Sequence, residues 1–143
     1  MIRLGAGSTA AVGLAAASAL HARWATGSSW PRSSHDELAD LVVGRRPMPG
    51  PAACVAVAGA LAVAAGATTQ ATCGRPGRLT DRSRTMATLV SAALLARGVG
   101  GIAAELAGIG DSTPEFRRWN RRLYNPLCVT LGILVAIGRR SGP

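Results

Sequence analysis

"PAACVAVAGALAVAAGATTQAT", residues 51–72, decides how this chain must fold. It carries no charged side chain, and it is long enough to cross a bilayer core as a helix, which takes about 20 residues. Pro51 suits the first helical turn, where a missing N–H costs nothing. Ala52, Ala56, Ala60 and Ala64 recur every fourth residue, and Gly59 and Gly66 lie seven apart. Both patterns gather small side chains on a helix face, the arrangement by which helices approach closely in lipid.

Three further apolar runs flank it. Residues 4–22 begin "LGAGSTAAVGLAAASAL". The basic start Met1-Ile2-Arg3 and the "ASA" at 17–19 also fit a secretory leader. Composition does not separate the two readings, but the later runs do: where the rest of the chain is membrane-embedded, the first run reads as a first span. "MATLVSAALLARGVGGIAAEL", residues 86–106, is interrupted by Arg97 and closed by Glu105. "LYNPLCVTLGILVAIG", residues 123–138, is short for a span, about 24 Å of helix against a core of roughly 30 Å. Arg122 at one end and Arg139-Arg140 at the other can anchor it by snorkelling. Pro126 leaves two starts open, a helix capped by Asn125 or an earlier helix kinked at the proline.

The connecting segments are polar. Within 23–50, "SHDELADLVV" predicts a short helix capped by Ser34, with Glu37 at its third position. "CGRPGRLTDRSR", 73–84, reads as a short basic turn. Ser112-Thr113-Pro114-Glu115 has capping-box spacing. Phe116 and Trp119 then share a face flanked by Arg117, Arg118, Arg121 and Arg122, the pattern of an interfacial amphipathic helix. The expectation is an all-α fold in one domain, residues 1–143. It is a four-transmembrane-helix bundle with spans near 4–22, 51–72, 86–106 and 123–138, and a short interfacial helix before the last span.

Composition agrees. The chain is 48% hydrophobic and 16% charged, where a soluble domain carries about 25% charged residues. Aromatics make up 3%, so a soluble core would rest on alanine, valine and leucine, and alanine brings little area per residue. The formal net charge is +9, and every basic residue is arginine. The arginines cluster between apolar runs, which points to loops facing anionic lipid head groups rather than to nucleic acid. Cys54, Cys73 and Cys128 make an odd count without a C-x-x-C, so no disulfide framework is expected. There is no H-E-x-x-H, no Cys/His cluster of metal-site spacing, no phosphate-loop glycine pattern and no G-x-S-x-G. No catalytic residue, metal ligand or cofactor is therefore expected, and an enzyme is the weaker reading.

"HARWATGSSWP" (21–31), "LLARGVGG" (94–101) and "FRRWNRRLYNPLC" (116–128) resemble an uncharacterised family of small four-helix bacterial membrane proteins, common in actinobacteria, defined only as a domain of unknown function. The resemblance spans nearly the whole chain. It places motif residues on His21, Trp24, Trp30, Arg97, Phe116, Tyr124, Pro126, Leu127 and Cys128. The family often has aspartate where this chain has Asn120 and serine where it has Asn125. The first departure removes a possible ion-pair partner and weakens any mechanism that needs a carboxylate there. The resemblance implies a bacterial plasma-membrane protein with cytoplasmic termini, and no reaction.

With the termini inside, seven arginines fall on the cytoplasmic side and eight on the other, so counting does not orient the chain. The dense basic turn at 73–84 favours the cytoplasm for that loop. The topology then gathers His21, Trp24, Trp30, Arg97, Glu105, Trp119 and Tyr124 toward the outer side. Tryptophan and tyrosine concentrate at membrane interfaces for their amphipathic rings alone. Arg97 lies eight residues from Glu105, outside i,i+4 reach, so a carbonyl, a head group or another helix is the expected partner. Two functions stay open. One is a structural or accessory role beside membrane lipids, another membrane protein or a second copy. The other is lipid or small-molecule binding in a pocket at the outer end.

Overall fold

The computed structural model describes residues 2–139; Met1 and Arg140, named above at the ends of the chain's outer runs, lie outside them. The described residues form α1 (Ile2–Ala25), α2 (His35–Val42), α3 (Pro51–Cys73), α4 (Arg78–Leu106), α5 (Pro114–Trp119) and α6 (Asn125–Gly138), with a π-turn at Asn120–Tyr124 joining the last two. No strand occurs among them. The fold is all-α, as expected.

The four longer helices close a ring in which α1 packs on α3, α3 on α4, α4 on α6 and α6 back on α1. Each neighbouring pair runs antiparallel. Ser18 Oγ donates to the Ala58 carbonyl at 2.8 Å while Gly7 meets Thr72. Ser91 Oγ donates to the Gly132 carbonyl at 2.8 Å while Gly98 meets the Asn125 carbonyl. At the closing contact a Cβ on Gly138 would stand 2.6 Å from Gly7 Cα. Backbones that approach this closely exclude any side chain, and the serines satisfy their hydroxyls across the seam. The core is correspondingly small-sided: Ala10, Leu14, Ala64, Ala71, Ala87 and Val135 are buried together.

The structure corrects four details of the sequence reading. First, the third long helix begins at Arg78, so the basic turn shrinks to 74–77. Thr80, Ser83 and Ala87 recur along one face and are buried, while Asp81 and Arg82 stay exposed. The polar start of the helix is therefore amphipathic rather than irregular.

Second, Thr113 and not Ser112 caps α5, accepting from the Phe116 N–H at 3.2 Å with Pro114 in the first turn. Glu115 then pairs with Arg32 instead of closing a capping box. Third, the expected interfacial helix and last span form one helical rod from 114 to 138, carried past Pro126 by the π-turn. Such a turn gives room where a proline ring would meet the preceding carbonyls. Fourth, only Ala64 of the alanine series is buried; Ala52, Ala56 and Ala60 are exposed, and nothing lies within 4 Å of a Cβ placed on Gly59 or Gly66. Inside the chain α3 buries Cys54, Ala58, Ala64, Thr68, Ala71 and Thr72 instead.

Two helices, α3 and α4, are long and apolar enough to cross a membrane. Only 22% of the apolar window of α3 and 17% of that of α4 is buried. A core helix of a soluble domain would show the reverse. Val55, Val63, Leu89 and Val99 instead point away from the protein. Helix α1 has the length, but glycine, serine and threonine dilute it. Helix α6 alone has 14 residues.

Ser34 caps α2 as expected, accepting from the Glu37 N–H at 3.2 Å. This short helix seals one end of the ring, burying Leu38 with Trp24 and Cys54.

Candidate functional site

The end of the ring where α1 and α4 finish and α3 and α6 begin carries the chemistry. Arg97 projects from α4 toward the π-turn. Its Nη1 donates to Asn125 Oδ1 at 2.8 Å and its Nη2 to Asn120 Oδ1 at 2.9 Å. In an α-helix residues five apart are rotated by about 140°. The π-turn removes most of that angle, because the Asn125 N–H reaches back to the Asn120 carbonyl. Both amide oxygens then face one guanidinium.

Glycine makes the approach possible. A Cβ on Gly101 would collide with Asn125 Oδ1 and stand 2.7 Å from Arg97 Nη1. One on Gly98 would stand 2.9 Å from the Asn125 carbonyl and 3.0 Å from the Val129 nitrogen. Neither neighbour can retreat, since both belong to the α6 backbone.

The network continues to Glu105. Asn120 Nδ2 donates to Glu105 Oε1 at 3.4 Å, and Arg121 Nε donates to Oε2, also at 3.4 Å. Asn120 thus accepts from the cation with its oxygen and donates to the anion with its nitrogen, which an aspartate could not do. The expected cross-helix partners of Arg97 are two neutral amides, and no carboxylate among the described residues pairs with it. Asn125 is fully buried, and its Nδ2 has no hydrogen-bond partner among the described residues.

A cleft of about 330 Å³ opens beside this network, lined by Arg97, Gly101, Glu105, Ile109, Arg117 and Arg121 among others. The other sequence-predicted residues lie elsewhere at the same end. His21 Nδ1 donates to the Ala17 carbonyl at 2.9 Å, and its ring packs edge-on against Trp24 at 4.9 Å. Trp24 Nε1 donates to the Trp30 carbonyl at 2.8 Å, and Arg23 lies 5.2 Å from the centre of the exposed Trp30 ring. A second cleft of about 360 Å³ runs from Trp24 past His35 to Pro51.

Tyr124 lines neither cleft; its hydroxyl donates to the Leu41 carbonyl at 3.2 Å and its ring tilts against Phe116. Trp119 sits exposed at the end of α5. The structure therefore brings Arg97 and Glu105 together and keeps them apart from the His21–Trp24–Trp30 group. Tyr124 ties the rod to α2.

Sequence reasoning named Arg97 and Glu105 but gave no contact role to Gly98, Gly101, Asn120 or Asn125. Glycines three apart opposite a polar start to the last helix were the available signal.

Thr113 docks the loop above, donating from Oγ1 to the Asp40 carbonyl at 2.6 Å and from its N–H to the Gly44 carbonyl at 2.9 Å. Gly44 has φ +82°, and a Cβ there would meet Phe116 at 2.8 Å. Arg46 grips the Asp40 carboxylate through Nε at 3.1 Å, and that hydrogen bond holds the carboxyl below its ordinary value.

The profile of a family described as "Protein of unknown function (DUF3995)" matches residues 14–135. The chain belongs to this family. No curated protein matches it. No solved structure matches it either.

Proposed function

We propose that this DUF3995 member spans the bacterial plasma membrane four times, with both termini in the cytoplasm, and serves as a structural or accessory partner of another membrane protein or of its own copies. The observation that carries the membrane reading is the outward apolar surface of α3 and α4. Water would not tolerate so continuous an apolar exterior on a monomer. The antiparallel ring then carries α1, diluted by small polar residues, and α6, apolar but short, across beside them.

The accessory role rests on the far side of α3. Ala52, Ala56, Gly59, Val63 and Gly66 alternate at spacings of four and three, opposite the buried face, and all are exposed. Small residues at this spacing form a seam for another helix. Gly59→Leu and Gly66→Leu test it. Nothing in the chain stands near either position, so the folded monomer keeps its melting temperature. Light scattering in mild detergent, with chemical crosslinking in intact membranes, should show an assembly in the wild type and its loss in both variants. A wild type that is monomeric by both measures removes the accessory role.

Topology has its own test. Single cysteines at Ser28 and at Arg75, in a background without native cysteines, are exposed to an impermeant thiol reagent on intact cells. Labelling should occur at 28 alone. Labelling at 75 alone inverts the topology.

A further inference from the structure

We propose that the cleft between the end of α4 and α5 binds a phosphate group through Arg97, Arg117 and Arg121. The proposal rests on the reading of the chain as membrane-spanning and adds a ligand to it. Arg97 is a cation within an otherwise apolar stretch, and both its partners are neutral amide oxygens. A guanidinium has five N–H donors, and these bonds use two of them. The residue remains exposed and lines the cleft. In the membrane-spanning reading a cation inside an apolar helix, with neutral partners alone, is costly, so an anion is the missing member of the site.

The other two arginines are placed to share that anion. Arg117 is exposed and lines the cleft, and its side chain makes no hydrogen bond or ion pair among the described residues. Arg121 is held by its Nε on Glu105, which leaves its Nη groups free to turn into the cleft. Glu105 is occupied on both oxygens, by Asn120 and Arg121, and acts as a positioning residue. Asp111 is the other carboxylate of the lining, so three guanidinium groups face two carboxylates. Planar guanidinium forks match phosphate oxygens in geometry as well as charge.

The surroundings favour an amphiphile. Ile109 lines the cleft and is 71% exposed, so the arginines stand beside an apolar side chain that the protein leaves uncovered. A phospholipid would set its head group among the arginines and its chains past Ile109. A soluble phosphate offers the same oxygens without the chains.

The experiment separates the two sources. Purified full-length protein in detergent is titrated with phosphatidylglycerol in one arm and inorganic phosphate in the other, with binding read by native mass spectrometry and by melting temperature. Retention of phosphatidylglycerol alone supports a lipid head-group site. Binding of inorganic phosphate as well supports the site with a soluble source. Arg117→Gln should weaken binding about tenfold, the equivalent of one charged hydrogen bond of roughly 1.4 kcal/mol, without moving the ligand-free melting temperature. Arg97→Lys should weaken it further.

No binding in either arm overturns the proposal, as does wild-type affinity in both variants. Extraction of the chain from membranes by alkaline carbonate would instead refute the membrane reading; the inorganic-phosphate arm would then decide the site by itself.

Discussion

Gly98, Gly100 and Gly101 sit within one turn of α4 and should respond to alanine in opposite directions. In a helix interior, glycine to alanine is worth about 1 kcal/mol of stability through backbone entropy. Nothing lies within 4 Å of a Cβ at position 100, so Gly100→Ala should realise that gain. At 101 the new methyl occupies the space where Arg97 Nη1 meets Asn125 Oδ1. Overpacking costs about 1–3 kcal/mol. The displaced hydrogen bond to a charged group costs about 1.5–3 kcal/mol more in aqueous proteins, and about 0.6 kcal/mol on average in membrane helices.

Taking the membrane value and subtracting the propensity gain leaves Gly101→Ala destabilised by about 1–3 kcal/mol. Gly98→Ala should match it through a purely steric route, because its methyl would stand 2.9 Å from the Asn125 carbonyl and 2.6 Å from Val129 Cγ2. Thermal melting of the four proteins in one detergent, checked by unfolding in a denaturing detergent, gives the order. The expected sequence is Gly100→Ala above wild type, with the other two below. If Gly101→Ala melts with Gly100→Ala, then α4 and α6 do not meet at Arg97 and the Arg97–Asn125 hydrogen bond does not hold them together.

Arg97→Leu leaves two amide oxygens without a donor, so it should lower the melting temperature more than Arg97→Lys, which keeps the charge but loses the two-pronged reach to Asn120 and Asn125; equal melting of all three proteins would remove the structural role. Asp40 is held below its ordinary pKa chiefly by the hydrogen bond from Arg46, so the contribution of that pair is present above the unfolded carboxyl value of about 3.9 and is lost as pH falls through the lower folded value. The pair is exposed and its contribution small. A carboxyl titration followed by NMR should show the Asp40 midpoint rising toward the unfolded value in Arg46→Gln, and an unmoved midpoint would show that Arg46 is not the cause.

The helices were legible because their signals are local. An uncharged run, Pro51 at its start and Ser34 before Glu37 each act within a turn or two, and the structure keeps all of them. The start of α4 is hidden in the sequence because the dense charge of 73–84 reads as a turn when the direction of each side chain is left out. Arg78, Asp81 and Arg82 are exposed, whereas Thr80, Ser83, Ala87 and Ser91 lie on the inner face. The period was present in the residues, but its inner face is small and polar, and small polar residues register as a turn on a hydropathy scale. Gly59 and Gly66 show the opposite limit. Their spacing announces a helix seam, but a sequence does not say whether another helix of the same chain fills it, and no described residue stands within 4 Å of a Cβ at either position.

The site was harder to read for a physical reason. Residues that act together on a helix are usually sought three or four apart, where α-geometry stacks them. Asn120 and Asn125 are five apart and would diverge in an α-helix. They converge on Arg97 only because the chain widens into a π-turn just before Pro126. The proline is legible and the widening is one of several ways to accommodate it, so the pairing of the two asparagines follows from the structure alone. Asparagine at 120 also suits what surrounds it. A carboxylate there would pair with Arg97 but repel Glu105, whereas the amide bonds both and leaves the charge of Arg97 uncancelled. Asn120→Asp should therefore supply Arg97 with an internal counter-ion and weaken phosphate binding. Asn120→Asp combined with Glu105→Gln removes the repulsion and should hold the helices together at least as well as the wild type. Retained phosphate affinity in Asn120→Asp alone, where Glu105 still holds Arg121, would mean that the charge of Arg97 is not what attracts the ligand.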